Sequence, residues 1–173
     1  MVKSRSSLYF LLFALIFGFL FSIVVSFFEP KPKDIAASIK IIDFNSKWIP
    51  STPPAKAMVK PWEVFIAPTI SFRVKNIGKK PLRYVAFNAV FVRKRTEMKL
   101  GTSYILTLRE PLKPGEVSKE IRMTSDGGYA GSSIKALKDN PFWEPVVCRL
   151  YLAKGSKFLL LGTFDINDTI EAN

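Results

Sequence analysis

Ser125 and Asp126 stand side by side, as a nucleophile and an orienting acid would, but the 173-residue chain contains no histidine to complete a triad. A serine–lysine pair needs none, and Ser132, Ser133 and Lys135 supply the types, although nothing in their spacing singles them out. Glu110, Glu116 and Glu120 are the carboxylates from which a glycosidase-like acid and base could be drawn. Solvated strand edges account for them equally well. The glycines of SDGGYAGSS (Gly127, Gly128, Gly131) suggest a phosphate cradle by composition. A P-loop, however, closes on Gly-Lys-Ser/Thr and opens a helix, and that lysine is missing. A flexible surface loop is the expectation. Met1, Met58, Met98 and Met123 are unclustered, so no soft-metal site is expected, and no cofactor.

The aromatics offer more. Trp62 in KPWEVF and Trp143 in NPFWEP each adjoin a proline and a charge. Exposed rings in such settings serve as partner or glycan platforms. Trp62, Tyr129 and Trp143 are therefore the candidate partner contacts. The competing expectation is that tryptophans, Trp48 included, close one end of a folded body. Cys148 is the sole cysteine, so no internal disulfide can form, and its setting in PVVCRLYLA predicts a small buried thiol.

Whatever these residues do, the N-terminal segment decides where they do it. Residues 8–28, LYFLLFALIFGFLFSIVVSFF, run 21 positions without a charge. About 20 apolar residues in a helix match the hydrocarbon core of a bilayer. The basic stretch MVKSRSS precedes the run, which is the layout of a secretory signal or a signal anchor. Signal-peptide cores are about 7–15 residues, so this longer run is expected to stay as a single transmembrane helix. Lys3 and Arg5 face Lys31 and Lys33 across it. The short tail favours a cytoplasmic N-terminus with the body translocated to the periplasm or cell exterior.

All 14 acidic residues follow the run, whereas only two of the 26 basic ones, Lys3 and Arg5, precede it, which leaves the body at +10. That balance suits an anionic partner such as anionic lipid or envelope polysaccharide. Lysines scattered for solubility are the plainer account, since KKPLR and VRKR are the densest groups. Nucleic acid is disfavoured by the expected compartment.

The body reads as nearly all β. EPKPKD (29–34) is expected to be a stiff spacer, SIKIIDF (38–44) a first strand, and 47–61, with four prolines, an irregular connection or an extended edge. Segments 69–76 and 82–95 alternate with the period of two of half-buried strands. Further strands are predicted over 103–110 and 117–123 around the turn PLKPGE, and over 145–153 and 157–166 as a hairpin. SIKALKD could add a helical turn or two. The expected organisation is a tail over 1–7, a membrane helix over 8–28, a proline-rich spacer with the first strand over 29–61, and a β-sandwich over 62–173.

The block TISFRVKNIGKKPLRYVAFNAVFVRKRTEM…LKPGEVSKEIRM resembles the FxLYD type of immunoglobulin-like domain. The matching residues are Asn76 and Gly78, the alternating strand 85–92, and Pro114, Gly115 and Glu116. AVFVRK stands where the name motif would be. The resemblance implies an all-β, immunoglobulin-like antiparallel sandwich of about 7–8 strands, in an extracytoplasmic module, and carries no catalytic residue with it.

The function expected from these features is a non-enzymatic interaction module, an accessory or assembly subunit of a membrane complex. A binding domain for anionic lipid or envelope polysaccharide is the alternative, and a hydrolase with an unrecognised site a distant third.

Overall fold

The computed structural model describes residues 14–16, 31–53, 60, 64–108, 110–154 and 157–170. The chain divides into two units, Met1–Lys31 and Pro32–Asn173. In the first, residues 14–16 are helical and exposed, and the remainder of the expected 8–28 helix lies outside the described residues. Among the described residues no helix is long and apolar enough to cross a membrane.

The second unit is built from α1 (Pro32–Ala37), β1 (Ile39–Pro50), β2 (Val64–Asn76), β3 (Val85–Arg93), β4 (Lys99–Thr107), β5 (Ile121–Thr124), β6 (Tyr129–Gly131), α2 (Ile134–Lys138), β7 (Val146–Lys154) and β8 (Lys157–Asp165). The strands form a sandwich of two antiparallel sheets. The first has the order β1-β2-β5, with β6 also on β2; the second has the order β4-β3-β7-β8.

Side-chain alternation explains the two layers. In β2, Ile70, Phe72, Val74 and Asn76 are fully buried while Arg73 and Lys75 are exposed. In β3, Val85, Phe87, Ala89 and Phe91 point inward. Phe72 and Phe87 meet edge-on across the layers, with ring centroids 5.3 Å apart. That geometry matches positive ring edges to a negative ring face. Cys148 is buried in the same core, as its context predicts, and burial pushes its thiol up to about 12.

Several local expectations need correction or sharpening. The segment 32–37 is a helix, not a stiff spacer: Pro32 occupies its first position, where a missing N–H costs nothing. Of the two readings of 47–61, the extended edge holds for residues 47–50, because β1 continues to Pro50, paired with Ile66, as the outer strand. As an outer strand, β1 tolerates a proline at its end. β2 likewise begins at Val64 and runs through Pro68. Pro68 falls in the gap between two neighbours of β2, since β6 pairs only as far as Ile66, opposite Tyr129, and β5 only from Thr69, opposite Thr124. The 117–123 strand is shorter than expected, and 103–110 is shifted to Lys99–Thr107 with Gly101 inside it. The 145–153 and 157–166 hairpin and the short 134–138 helix form as predicted.

The sandwich has two ends. The near pole carries α1, the 77–84 loop, residues 110–116, and the end of β7 paired with the start of β8. Its corner is fastened by Asn76, which is buried, donates through Nδ2 to the carbonyls of Lys80 (2.9 Å) and Leu112 (2.8 Å), and accepts from Gly78 N–H. Gly115 (φ 83°) donates its N–H to the carbonyl of Asn76, and Asn76 N–H donates to Glu116. The far pole carries Trp48, Tyr129, Trp143 and α2.

Candidate functional site

At the far pole, β1, β6 and the segment before β7 bring Trp48, Tyr129 and Trp143 together. Trp48 is 4.7 Å from Trp143 and 5.5 Å from Tyr129, and Tyr129 is 4.9 Å from Trp143, between ring centroids. Trp48 is buried, and the other two are half-buried. A guest held between two rings needs roughly 7 Å between their planes, so the cluster is a plug rather than an open clamp. Its cation is already supplied, since Arg93 lies over Tyr129 at 5.4 Å. Burial pushes the Tyr129 phenol above its ordinary range, against the pull of Arg93. Trp62, the third candidate contact, lies outside the described residues.

Glu144, adjacent to Trp143, is a buried carboxylate that the sequence reading missed. It accepts from the Thr96 hydroxyl (2.8 Å) and the Arg95 N–H (3.3 Å), and pairs with Arg95 (3.4 Å) and Arg93 (3.8 Å). Loss of hydration alone would raise its pKa, but the Thr96 and Arg95 hydrogen bonds and the Arg95 charge together hold it below the ordinary 4.5. The only sequence signal was the basic run 92–95, which needs an acid somewhere in the fold.

A depressed carboxylate stabilises the fold fully above its unfolded pKa and loses that contribution as pH falls through the folded value. Glu144→Gln is therefore expected to be less stable than the natural chain at neutral pH, with the gap closing below about pH 4.5. Denaturation midpoints of both proteins across that range test this. Parallel curves would refute the assignment.

The other chemical candidates are engaged in structure. Ser133 caps α2, accepting from Ala136 N–H (3.1 Å), and Lys135 pairs with Asp139 at 2.7 Å. Ser125 is buried and accepts from Gly127 N–H. Asp126 binds the β4 edge: its carboxylate takes the Thr102 N–H and hydroxyl, and its own N–H donates to Thr102 O at 2.9 Å. The glycine segment is therefore no flexible loop but the seam between the sheets, followed by β6. A Cβ on Gly127 would stand 1.9 Å from Leu100 O, and one on Gly128 2.1 Å from Ile66 O.

Below that seam the sheet edges part, leaving a groove of about 490 Å³. Glu110, Glu116 and Glu120 all line it, so the three carboxylates do come together on one surface. All three are exposed; Glu116 accepts from Lys113 N–H (2.8 Å), and Glu120 lies 3.9 Å from Arg122.

The surface that stands out is the outer face of the second sheet. Two adjacent rungs run Leu106–Ala86–Ala153–Phe158 and Tyr104–Asn88–Tyr151–Leu160. Tyr104 (62%), Leu106 (45%), Phe158 (55%) and Leu160 (50%) are exposed along both margins of this largely apolar strip. The signal was in the sequence. SYIL and KFLLL are apolar in both phases of the two-residue period, which indicates cover wanted on both faces. Read only as strands, they hid the outer face.

The class of protein defined by this fold is a two-layer antiparallel β-sandwich. No protein-family model matches the chain, and no curated protein matches it. Among solved structures, one named provisionally as the ApaA protein of Bordetella pertussis is similar, with 12% identity and a TM-score of 0.39, over 75% of this chain and 93% of the other.

Proposed function

We propose that this chain is a membrane-anchored, non-enzymatic interaction module: residues 8–28 span the membrane with the N-terminus cytoplasmic, and the translocated sandwich docks as an accessory subunit on another protein of the same membrane. The observation that carries this reading is the exposed apolar strip bounded by Tyr104, Leu106, Phe158 and Leu160. Apolar patches of this kind are usually covered in the working state. The strip starts at the near pole, where α1 packs against β7 and β8, and α1 begins shortly after the proposed span in the sequence. Its natural occupant is therefore the membrane-proximal part of a neighbouring subunit. We carry the immunoglobulin-like reading within the same proposal. Its support is that Asn76, Gly78, Gly115 and Glu116, the residues of the FxLYD resemblance, meet at one structural corner.

The test is affinity isolation of the full chain from membranes in mild detergent. The natural chain is expected to carry one partner at fixed stoichiometry. The double variant Tyr104→Glu/Leu160→Glu should weaken that association at least about 30-fold, the effect of losing a central contact worth about 2 kcal/mol. A natural chain running as a lone monomer would refute the proposal. Pro32–Asn173 run alongside separates the contributions: the same partner on both preparations assigns recognition to the sandwich, and a partner on the full chain alone assigns it to the helix.

A further inference from the structure

Ion pairing divides this molecule unevenly. Along the flanks and at the far pole, several basic residues have acidic partners, as in Lys94–Asp165, Lys135–Asp139 and Arg149–Glu97, while Lys99, Lys119 and Lys138 have none among the described residues. At the near pole, Lys33, Lys79, Lys80, Arg83, Lys113 and Lys157 are exposed, and none has an ion-pair partner among the described residues. Asp34, Glu110 and Glu116 are the acids of that pole, so it keeps a positive excess. Just above it, Lys40 and Lys75 are direct cross-strand neighbours, both exposed. Like charges in that position repel.

The same pole also exposes large apolar side chains. Ile77 is 54% and Tyr84 67% exposed, on the loop that carries Lys79, Lys80 and Arg83. Tyr84 adopts φ 52°, a left-handed conformation costly for a bulky residue, and its N–H donates to Leu108 O. Lysines interleaved with an aromatic ring and an aliphatic chain, all outward, match a bilayer interface. Cations meet headgroup phosphates there, and amphipathic rings lie at headgroup depth.

We infer that the near pole is a contact surface for an anionic bilayer, with the cations of the 77–84 loop on the headgroups and Ile77 and Tyr84 inserted between them. Its orientation rests on the membrane reading of residues 8–28, from which Pro32 is separated by three residues, a reach of roughly 10 Å. The surface itself does not depend on that reading, and the two can fail separately. The membrane segment fails if alkaline carbonate releases the full chain from membranes; the surface is tested without it.

The unit Pro32–Asn173 is suited to that test because every buried residue of its hydrophobic core, from Ile35 to Ile166, lies within it. Its co-sedimentation is measured with vesicles of phosphatidylcholine alone and of phosphatidylcholine mixed with phosphatidylglycerol, at low and high salt. Binding is expected only to the mixed vesicles, and it should weaken as salt rises. K79E/K80E/R83E should weaken it at least about a hundredfold, whereas K99E/K135E/K138E at the far pole should change it little. I77S/Y84S should weaken vesicle binding while leaving binding to soluble polyglutamate unchanged. Circular dichroism confirms that each variant is folded. Failure to bind mixed vesicles, equal binding to both vesicle types, or equal damage from far-pole reversal overturns the proposal. So does I77S/Y84S binding vesicles as well as the natural unit, which would make the pole a general polyanion site.

Discussion

Trp48→Ala is expected to lower the unfolding free energy of the sandwich by about 3–5 kcal/mol, the usual cost of truncating a fully buried tryptophan. Trp48 is 1% exposed and contacts Tyr129 and Trp143 on its ring faces. Its backbone N–H takes Thr169 O at 2.9 Å, so the strand it anchors also holds the C-terminal segment. Removing the ring empties a volume that β1, β6 and the segment before β7 cannot jointly collapse to fill, because β1 and β6 are both held in place by their ladders on β2. A domain of this size has only about 5–15 kcal/mol to lose. The denaturant midpoint should drop sharply, while Trp48→Phe, which keeps most of the packing, should lose less than half as much. A loss below about 1 kcal/mol for alanine would mean that the plug is not packed as described.

Gly127→Ala should be comparably damaging for a different reason. The added methyl would meet Leu100 O at 1.9 Å, a backbone atom that cannot rotate away. The seam must open, with loss of the Thr102–Asp126 hydrogen bonds that join the sheets. A cost of about 3 kcal/mol or more is expected, at the upper end for overpacking, with faster amide exchange at Thr102 and Asp126. Gly115→Ala is the control: its φ of 83° is strained for alanine, but nothing lies within 4 Å of the new methyl. About 1–2 kcal/mol is expected there. Equal losses at the two positions would argue that the seam is not closely approached.

These predictions mark where sequence reading reached and where it stopped. Strands with one buried face were legible, because alternation in 69–76 and 85–91 is a local consequence of having one wet side. The β7–β8 hairpin, the Pro-Gly turn and the buried cysteine were legible for similarly local reasons. The glycine segment was misread because a glycine needed for backbone approach looks the same in sequence as one needed for freedom. Pro68 concealed the start of β2, since its fit depends on which neighbour pairs at that point. Trp48, Tyr129 and Trp143 come from positions far apart in the chain, and only the pairing of β1 and β6 with opposite sides of β2, with Trp143 packed on both rings, makes them one cluster.

The amino-acid sequence by itself determined the all-β character of the body, its basic charge, the absence of histidine and the long apolar run at residues 8–28. Each is a property of composition or of short-range periodicity, so no long-range contact can alter it. The tertiary structure alone decided which charges would be paired. Sheet order places Glu144 among Arg93, Arg95 and Thr96, and leaves Lys79, Lys80 and Arg83 facing outward beside Ile77 and Tyr84. A charge takes its meaning from what lies within a few ångströms of it in space, and that distance is set by the fold.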